Sequence, residues 1–272
     1  MDALRKLSSG TVHLNVPDHQ DISRVFTDTK GVQVNSFSGP HPTGNVSTQI
    51  SRLDPINRGD IIWYLRPQEV LTIGRLFLTG KYDASRIFAL TGSGVENPSY
   101  FKSHIGACIV EMVKNNVREG KQRYISGNVL TGKKIIKDGY IDFYDSQVSV
   151  IPEGDHYEFI GWALPGLKKF SFSHQFASWI TPKKKYKLDT NLHGGERAFV
   201  MTGKYELVFP FDIYPMQLIK AIMIEDIDMM ENLGIYEIDD EDFALCEFID
   251  TSKTEIQSVV RQGLDLMRKE MT

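Results

Sequence analysis

Residues 36–45 read SFSGPHPTGN, two glycines (Gly39 and Gly44) after a strand-like run, Val32-Gln33-Val34-Asn35. A glycine loop behind a strand is where an α/β protein holds a phosphate, so this stretch decides what kind of α/β domain opens the chain. A phosphate cradle aims several backbone N–H groups at the anion, usually with a lysine and a helix N-terminus behind them. Here Pro40 and Pro42 each remove a donor, and no Gly-Lys-Ser/Thr follows. The glycine spacing is not that of a dinucleotide fingerprint either. The loop reads as a rigid turn between two elements, with His41 as a solvated loop histidine.

Outward from that loop, the first 80 residues alternate α and β pieces. Asp2–Leu7 reads as a short helix, Thr11–Val16 as a strand, and Ile22–Thr27 as a helix leading to the strand at Val32. Ile61–Leu65 (IIWYL) reads as a buried strand. Pro67 sits where a first helical turn begins, and Leu71, Gly74, Arg75 and Leu78 follow at helical spacing. The pattern is that of half a doubly wound α/β unit, with the other half expected upstream of Met1.

From Arg86 the pattern becomes β-rich. Arg86–Thr91 reads as a strand turned by Gly92-Ser93-Gly94, and Asn97-Pro98 marks a further turn. Tyr100–His104, Tyr124–Leu130, Ile141–Phe143, Val148–Ile151 and His156–Trp162 read as strands, and Ile105–Val117 as the one helix. After Pro165-Gly166 the chain turns helical. Pro215 opens a helix with Met216, Ile219 and Met223 on one face, and Gly234 ends the next, IDMMENL. Ser252-Lys253-Thr254-Glu255 predicts a capping box for a last helix with Ile256, Val259, Val260, Leu264 and Met267 in one stripe. The expected fold is α/β plus α+β. It comprises a partial doubly wound α/β domain (1–83), a β-rich domain (84–165) and a mainly helical domain (166–272).

The 272 residues, 41% hydrophobic and 24% charged, are enough for two domains with a sizeable core. A net charge of -4 supplies no field that would draw the chain to nucleic acid. Two distant cysteines, Cys108 and Cys246, make no disulfide framework and point to a reducing, cytoplasmic setting. The start, MDALRKLSSG, lacks an apolar stretch of signal-peptide length, and no apolar run approaches the ~20 residues of a membrane helix.

Other segments carry weaker signals. In LHGGERAFVMTG (192–203), Gly194-Gly195 lets a backbone approach closely and Arg197 suits a carboxylate or phosphate. The plainer reading is a packed loop with Glu196 and Arg197 on its rim. Pro182–Lys187 is a small basic cluster that reads as a solvated loop. Glu225–Glu247 carries ten carboxylates alternating with apolar residues, which reads as the wet side of helices and lacks calcium-loop spacing. Cys246 reads as a small buried hydrophobe, because an iron–sulfur cluster takes about four thiolates.

Taken in order, SFSGPHPTGN, LTGSGVENPSYF, SGNVLTG, GWALPG, HGGERAFVMTGKYE, FPFDIYP and DEDFALCEF resemble the A-subunit family of the bacterial sodium-translocating NADH:quinone reductase, in its C-terminal portion. That family is similar in fold to the flavin-carrying subunit of respiratory complex I, whose order is α/β, β-grasp, helical. The Gly94–Pro98 turn resembles the signature of a soluble-ligand-binding β-grasp (SLBB) domain. The chain departs from the complex I pattern in lacking a glycine-rich flavin loop and the cluster cysteines. The resemblance therefore implies a translocase subunit with no cofactor of its own, in a complex that uses NADH, flavins, iron–sulfur and ubiquinone. It implies a peripheral place on the cytoplasmic side of the inner membrane, other subunits (especially a membrane subunit) as partners, and an isolated chain without activity. Quinone or interface candidates are Gly39, His41, Gly44, His193, Gly194, Gly195 and Arg197. Two competing classes are a stand-alone ligand-binding module, separable by co-purification with membrane subunits, and a soluble flavoenzyme, separable by an absorption spectrum.

Overall fold

The computed structural model describes residues 1–19, 22–156, 158–161, 164–181 and 185–271. Packing divides the chain into two units. One joins Met1–Asp83 to Ala198–Asp250 and Thr254–Thr272; the other holds Ala84–Arg197 with Thr251–Lys253.

The first unit begins with α1 (Asp2–Leu7), β1 (His13–Pro17), α2 (Arg24–Thr27), β2 (Gln33–Phe37), α3 (Val46–Leu53) and α4 (Pro67–Thr79). β1 and β2 pair in parallel, His13 opposite Gln33 through Pro17 opposite Phe37. α4 starts where Pro67 predicts: the Arg66 amide donates to Glu69 Oε2 at 2.7 Å, and Gly80 (φ 69°) closes the helix. Among the described residues of 1–83, Val16 is the one buried apolar side chain.

The run Ile61–Leu65 is not a buried strand. It is unpaired with any strand among the described residues, and Trp63 is 88% exposed. An apolar run becomes a buried strand only where neighbours pair its amides and cover its faces, and the sheet here has just two strands.

Helices α6 (Pro215–Met223), α7 (Ile227–Asn232), α8 (Ala244–Ile249) and α9 (Ile256–Glu270) complete the unit. With the segments between and before them, they build its core from Tyr205, Phe209, Phe211, Met216, Leu218, Ile219, Ile222, Met230, Ile235, Phe243, Cys246, Ile256, Val260 and Met267. Gly263 lets α9 lie close to α6, since a Cβ there would stand 2.8 Å from Ile222. Met223, expected on the core face, is 42% exposed at the end of α6.

The capping box also fails. Ser252 is buried, and its carbonyl accepts from the Arg197 amide at 2.9 Å. α9 is capped from a different helix: Glu247 Oε2 of α8 accepts the Gln257 amide at 2.8 Å, and Asp250 Oδ2 accepts the Thr254 amide at 2.8 Å. A carboxylate brought in by tertiary packing takes the place of the local hydroxyl.

The second unit is a five-stranded mixed sheet, order β4-β3-β7-β5-β6, made of β3 (Ser85–Thr91), β4 (Ser99–His104), β5 (Gln122–Ser126), β6 (Lys133–Ile135) and β7 (Gln147–Pro152). β3 and β7 run parallel at its centre, with Leu90 opposite Val148, and the other pairs are antiparallel. Phe88, Leu90, Val148 and Val150 pack with Ile109, Met112 and Val113 beneath the one-turn helix α5 (Val110–Val113). The Gly92–Gly94 turn presses on β7: a Cβ at Gly92 (φ 108°) would stand 2.1 Å from the Val150 carbonyl oxygen.

The helix expected over Ile105–Val117 shrinks to α5, because Gly106 (φ 72°) and Asn115 (φ 54°) take left-handed backbone on either side. Ile141–Phe143 forms no strand; Ile141 is buried, its amide bonded to Ala107, with only an isolated bridge beside it at Tyr140. Of the expected strand His156–Trp162, Tyr157 and Trp162 lie outside the described residues, and the remainder is coil and turn. The mixed sheets, α/β element and helical C-terminal region make up the α/β plus α+β fold class expected.

Candidate functional site

The 36–45 loop is held by its own backbone. The Thr43 amide donates to Pro40 O at 3.0 Å and the Asn45 amide to Pro42 O at 2.7 Å. Two amides that an anion cradle would aim outward are thus committed inside the turn. Gly39 has φ 141°, and a Cβ there would stand 2.7 Å from Thr43 Oγ1. Gly44 has open space around it, and His41 is exposed.

Behind the loop runs a polar relay across the parallel sheet. Asn35 Nδ2 donates to Asn15 Oδ1 at 2.9 Å, Asn15 Nδ2 to Gln49 Oε1 at 2.9 Å, and Gln49 Nε2 to the Thr43 carbonyl at 3.2 Å. Asn15 and Asn35 face each other because they are register partners of β1 and β2. These side chains fix the loop against the first turns of α3.

Two residues beyond the loop, Ser47 on α3 donates to Asp242 Oδ1, and the Asp239 amide donates to Asp242 Oδ2 at 2.8 Å. Asp242 is 2% exposed, so the wet-side expectation for the 225–247 carboxylates fails at this residue. Burial pushes its carboxyl up to about 6, against the Ser47 hydroxyl and Asp239 amide, which favour the charged form. Burial and the Asp239 and Asp242 charges raise Glu241 to about 6 as well. Despite its own burial, Asp240 is held below the usual carboxylate range by Arg261 of α9, which also bonds Asp239 at 2.6 Å. Arg52 donates to the Pro210 carbonyl at 3.0 Å, and Arg58 meets Glu231 at 3.1 Å. The sequence signal for this lock was the acidic run itself. Its burial was hidden because the partner, Ser47, lies far away in the chain.

Of the 192–203 loop, residues up to Arg197 lie in the other unit, and the rest from Ala198 belong to the first. His193, Gly194, Gly195 and Arg197 are all exposed. Gly194 (φ 129°) requires glycine, whereas a Cβ at Gly195 would meet nothing within 4 Å. Asp189 stands between two imidazoles, Oδ1 3.9 Å from His193 Nε2 and Oδ2 4.0 Å from His156 Nε2. Nearby, Thr190 Oγ1 accepts the Gly154 amide at 2.8 Å and donates to Glu153 Oε1 at 3.2 Å. Arg123 pairs with Glu153 and, by hydrogen bonding, lowers its carboxyl to about 2 against the opposing effect of burial. The candidates therefore fall into two groups: Gly39, His41 and Gly44 in one unit, and His193, Gly194, Gly195 and Arg197 in the other. The basic cluster at 182–187 has Pro182, Lys183 and Lys184 outside the described residues.

The thiols are separate. Cys246 is fully buried in α8, and burial pushes its thiol well above the ordinary range. Cys108, in the other unit, donates to the Asp138 carbonyl at 3.5 Å. Among the described residues no cluster of His, Cys, Asp and Glu is arranged to hold a metal ion, and no helix is long and apolar enough to cross a membrane.

Two family models match the chain: the NqrA second alpha/beta domain over residues 1–82, and the NQRA C-terminal domain, an SLBB model, over residues 87–137. Similar proteins include the A subunit of the Na(+)-translocating NADH-quinone reductase of Rhodopirellula baltica, 41% identical over 99% of this chain and 59% of its own length. That of Pasteurella multocida is 38% identical over 99% of this chain and 60% of its length. That of Haemophilus influenzae (strain PittGG) is 39% identical over 90% and 55%. The chain thus spans about three fifths of the length of the curated relatives it matches.

Proposed function

As a homologue of the A subunits of the Na(+)-translocating NADH-quinone reductases over 99% of its length, the chain is, we propose, a non-redox part of such a complex that serves ubiquinone reduction and assembly. The observation that carries this reading is the kinship itself, spread over both units rather than confined to one domain. The three-part order of residues 1–83, 84–165 and 166–272 belongs to the same proposal.

The residues do not fit the cofactors that the likeness to complex I brings to mind. Two thiols in different units, one of them fully buried in a helical core, are not the four-thiolate set of an iron–sulfur cluster. The 36–45 loop spends its amides on its own carbonyls, which leaves a poor seat for a flavin phosphate. Hydride transfer from NADH needs an acceptor that side chains do not supply, so the isolated chain is expected neither to oxidise NADH nor to reduce quinone. Its work is contact. Gly39, His41 and Gly44, and separately His193, Gly194, Gly195 and Arg197, offer exposed backbone and short side chains to a membrane subunit or a quinone on the cytoplasmic face.

Gly195→Val is the discriminating substitution, because the space around Gly195 is open and the valine would meet only what approaches from outside. In the assembled complex it should impair assembly or quinone kinetics. Unaltered assembly and quinone kinetics would remove the role given to this loop, and turnover by the purified chain alone would sink the non-redox reading. Failure to co-purify with membrane subunits would favour a stand-alone ligand-binding module.

A further inference from the structure

Between Val150 and Tyr205 no apolar side chain among the described residues is buried. Within that stretch, residues 158–188 fold inside out. Their interior is polar. Lys169 Nζ bonds Glu158 and, at 2.8 Å, the Gly161 carbonyl, and it lies 5.4 Å from the centre of the Phe176 ring. Buried Ser178 donates to the Lys169 carbonyl at 2.5 Å. The Ala177 amide donates to the Pro165 carbonyl at 2.9 Å, which sets the turn bearing Leu164 and Leu167 against the one bearing Trp179 and Ile180. The apolar side chains are outside: Phe159 is 90%, Leu167 64% and Trp179 58% exposed. Between 158 and 188 the sequence carries six lysines against one carboxylate, Glu158, in a chain of net charge -4. Glu158 is spent on Lys169, whereas Lys168, Lys185 and Lys187 are exposed.

We propose that Phe159, Leu167 and Trp179, together with Lys168, Lys185 and Lys187, dock this unit on an anionic lipid surface. Two observations select a lipid surface over a protein partner. The first is charge and composition. Lysine is depleted from the cores of protein–protein interfaces, but at a bilayer the headgroups take the ammonium while stems and rings reach the acyl boundary. Tryptophan sits at that same boundary, and each lysine near an anionic surface strengthens binding. The second is shape. One 3-10 turn, Ala177–Ile180, is the only regular element between 158 and 188 among the described residues. The segment therefore offers neither a helix ridge nor a strand edge to a folded partner, and a fluid surface requires neither. A lysine loop alone reads as solvated; the exposed aromatic and aliphatic side chains beside it supply the second signal that stable anchoring takes. Docking is a property of the chain by itself, so it stands whether or not the role in quinone reduction does.

The test is co-sedimentation of the whole chain with vesicles of phosphatidylglycerol and phosphatidylethanolamine, beside vesicles of phosphatidylcholine alone. Binding is expected to the anionic vesicles and to be lost at about 0.5 M salt. In a chain with Trp63→Phe and Trp162→Phe, Trp179 is the only tryptophan. Its emission should shift to the blue on the anionic vesicles, and its quenching by acrylamide should disappear. Lys185→Gln and Lys187→Gln should each weaken binding about fivefold. Phe159→Ser combined with Leu167→Ser should abolish the blue shift with the circular dichroism spectrum unchanged. Should that pair disturb the fold, the exposed lysine variants carry the test. No binding to the anionic vesicles, equal binding to phosphatidylcholine, or unchanged binding by both lysine variants overturns the proposal. Trp179 still quenched on bound vesicles overturns it as well. Protection of Trp179 in a detergent-solubilised complex, but not on vesicles, overturns it in favour of a protein partner.

Discussion

Ser47→Ala isolates the lock between α3 and the acidic turn. The substitution deletes the hydroxyl that donates to Asp242 Oδ1 and leaves a carboxylate oxygen, in a residue 2% exposed, without that donor. A hydrogen bond to a charged group contributes about 1.5–3 kcal/mol, so a loss of about 2 kcal/mol is expected where Asp242 is ionised. Asp242 sits at about 6, above its ordinary value of 3.8. Its folded state therefore binds the proton more tightly than the unfolded chain does. The contribution of this group to stability is full below its ordinary value and is lost as pH rises through about 6. Ser47 limits that loss by favouring the charged form, so the cost of Ser47→Ala should be largest above about 6 and shrink as the carboxyl protonates. Thermal unfolding followed by circular dichroism at about pH 7.5 and about pH 4.5 measures both arms, with an expected fall of about 4–8 °C at the higher pH. An equal midpoint in variant and parent at the higher pH, or a larger loss at the lower, would refute the reasoning.

The remaining predictions concern other hydrogen bonds. Glu247→Ala should cost about 1 kcal/mol by uncapping the Gln257 amide, and hydrogen exchange should accelerate in the first turn of α9; unchanged exchange there would show that the cap lies elsewhere. Arg123→Met should flatten the acid limb of the second unit. Glu153, held at about 2, contributes stability above its ordinary 4.5 and loses it as pH falls towards about 2. Identical acid-unfolding profiles for parent and variant would show that the pair does not hold that carboxyl down.

Much of the fold was legible because local chemistry and tertiary packing agree there. Pro67 and Pro215 open α4 and α6 at first-turn positions, and Gly80 and Gly234 take the left-handed backbone that ends helices. β3 and β7 read as strands because Phe88 with Leu90, and Val148 with Val150, recur at every second residue on a buried face. What misled was chemistry completed from far away. Ser252 looks like a cap, but Glu247 does the capping. Asp242 looks wet, but Ser47 receives it 195 residues distant. Ile61–Leu65 looks buried, but Ile61 and Trp63 are largely exposed and no strand among the described residues pairs with the run. The candidate loops were legible as glycine-rich turns. The amides that Thr43 and Asn45 spend internally, and the contrast between strained Gly194 and open Gly195, emerge only once the chain is folded.

The discontinuity of the first unit bears on how the chain comes off the ribosome. Residues 84–197 are an insertion: β1, β2 and α3 are translated well before the helices that carry the unit's core. Ser47 must wait for Asp242, and closing a random loop of that length costs about 5 kcal/mol. The early α/β segment meanwhile stays exposed, with Trp63 and its apolar neighbours open to any holdase in reach. The order of synthesis therefore puts the burden of chaperoning on residues 1–83, long before α9 closes the core.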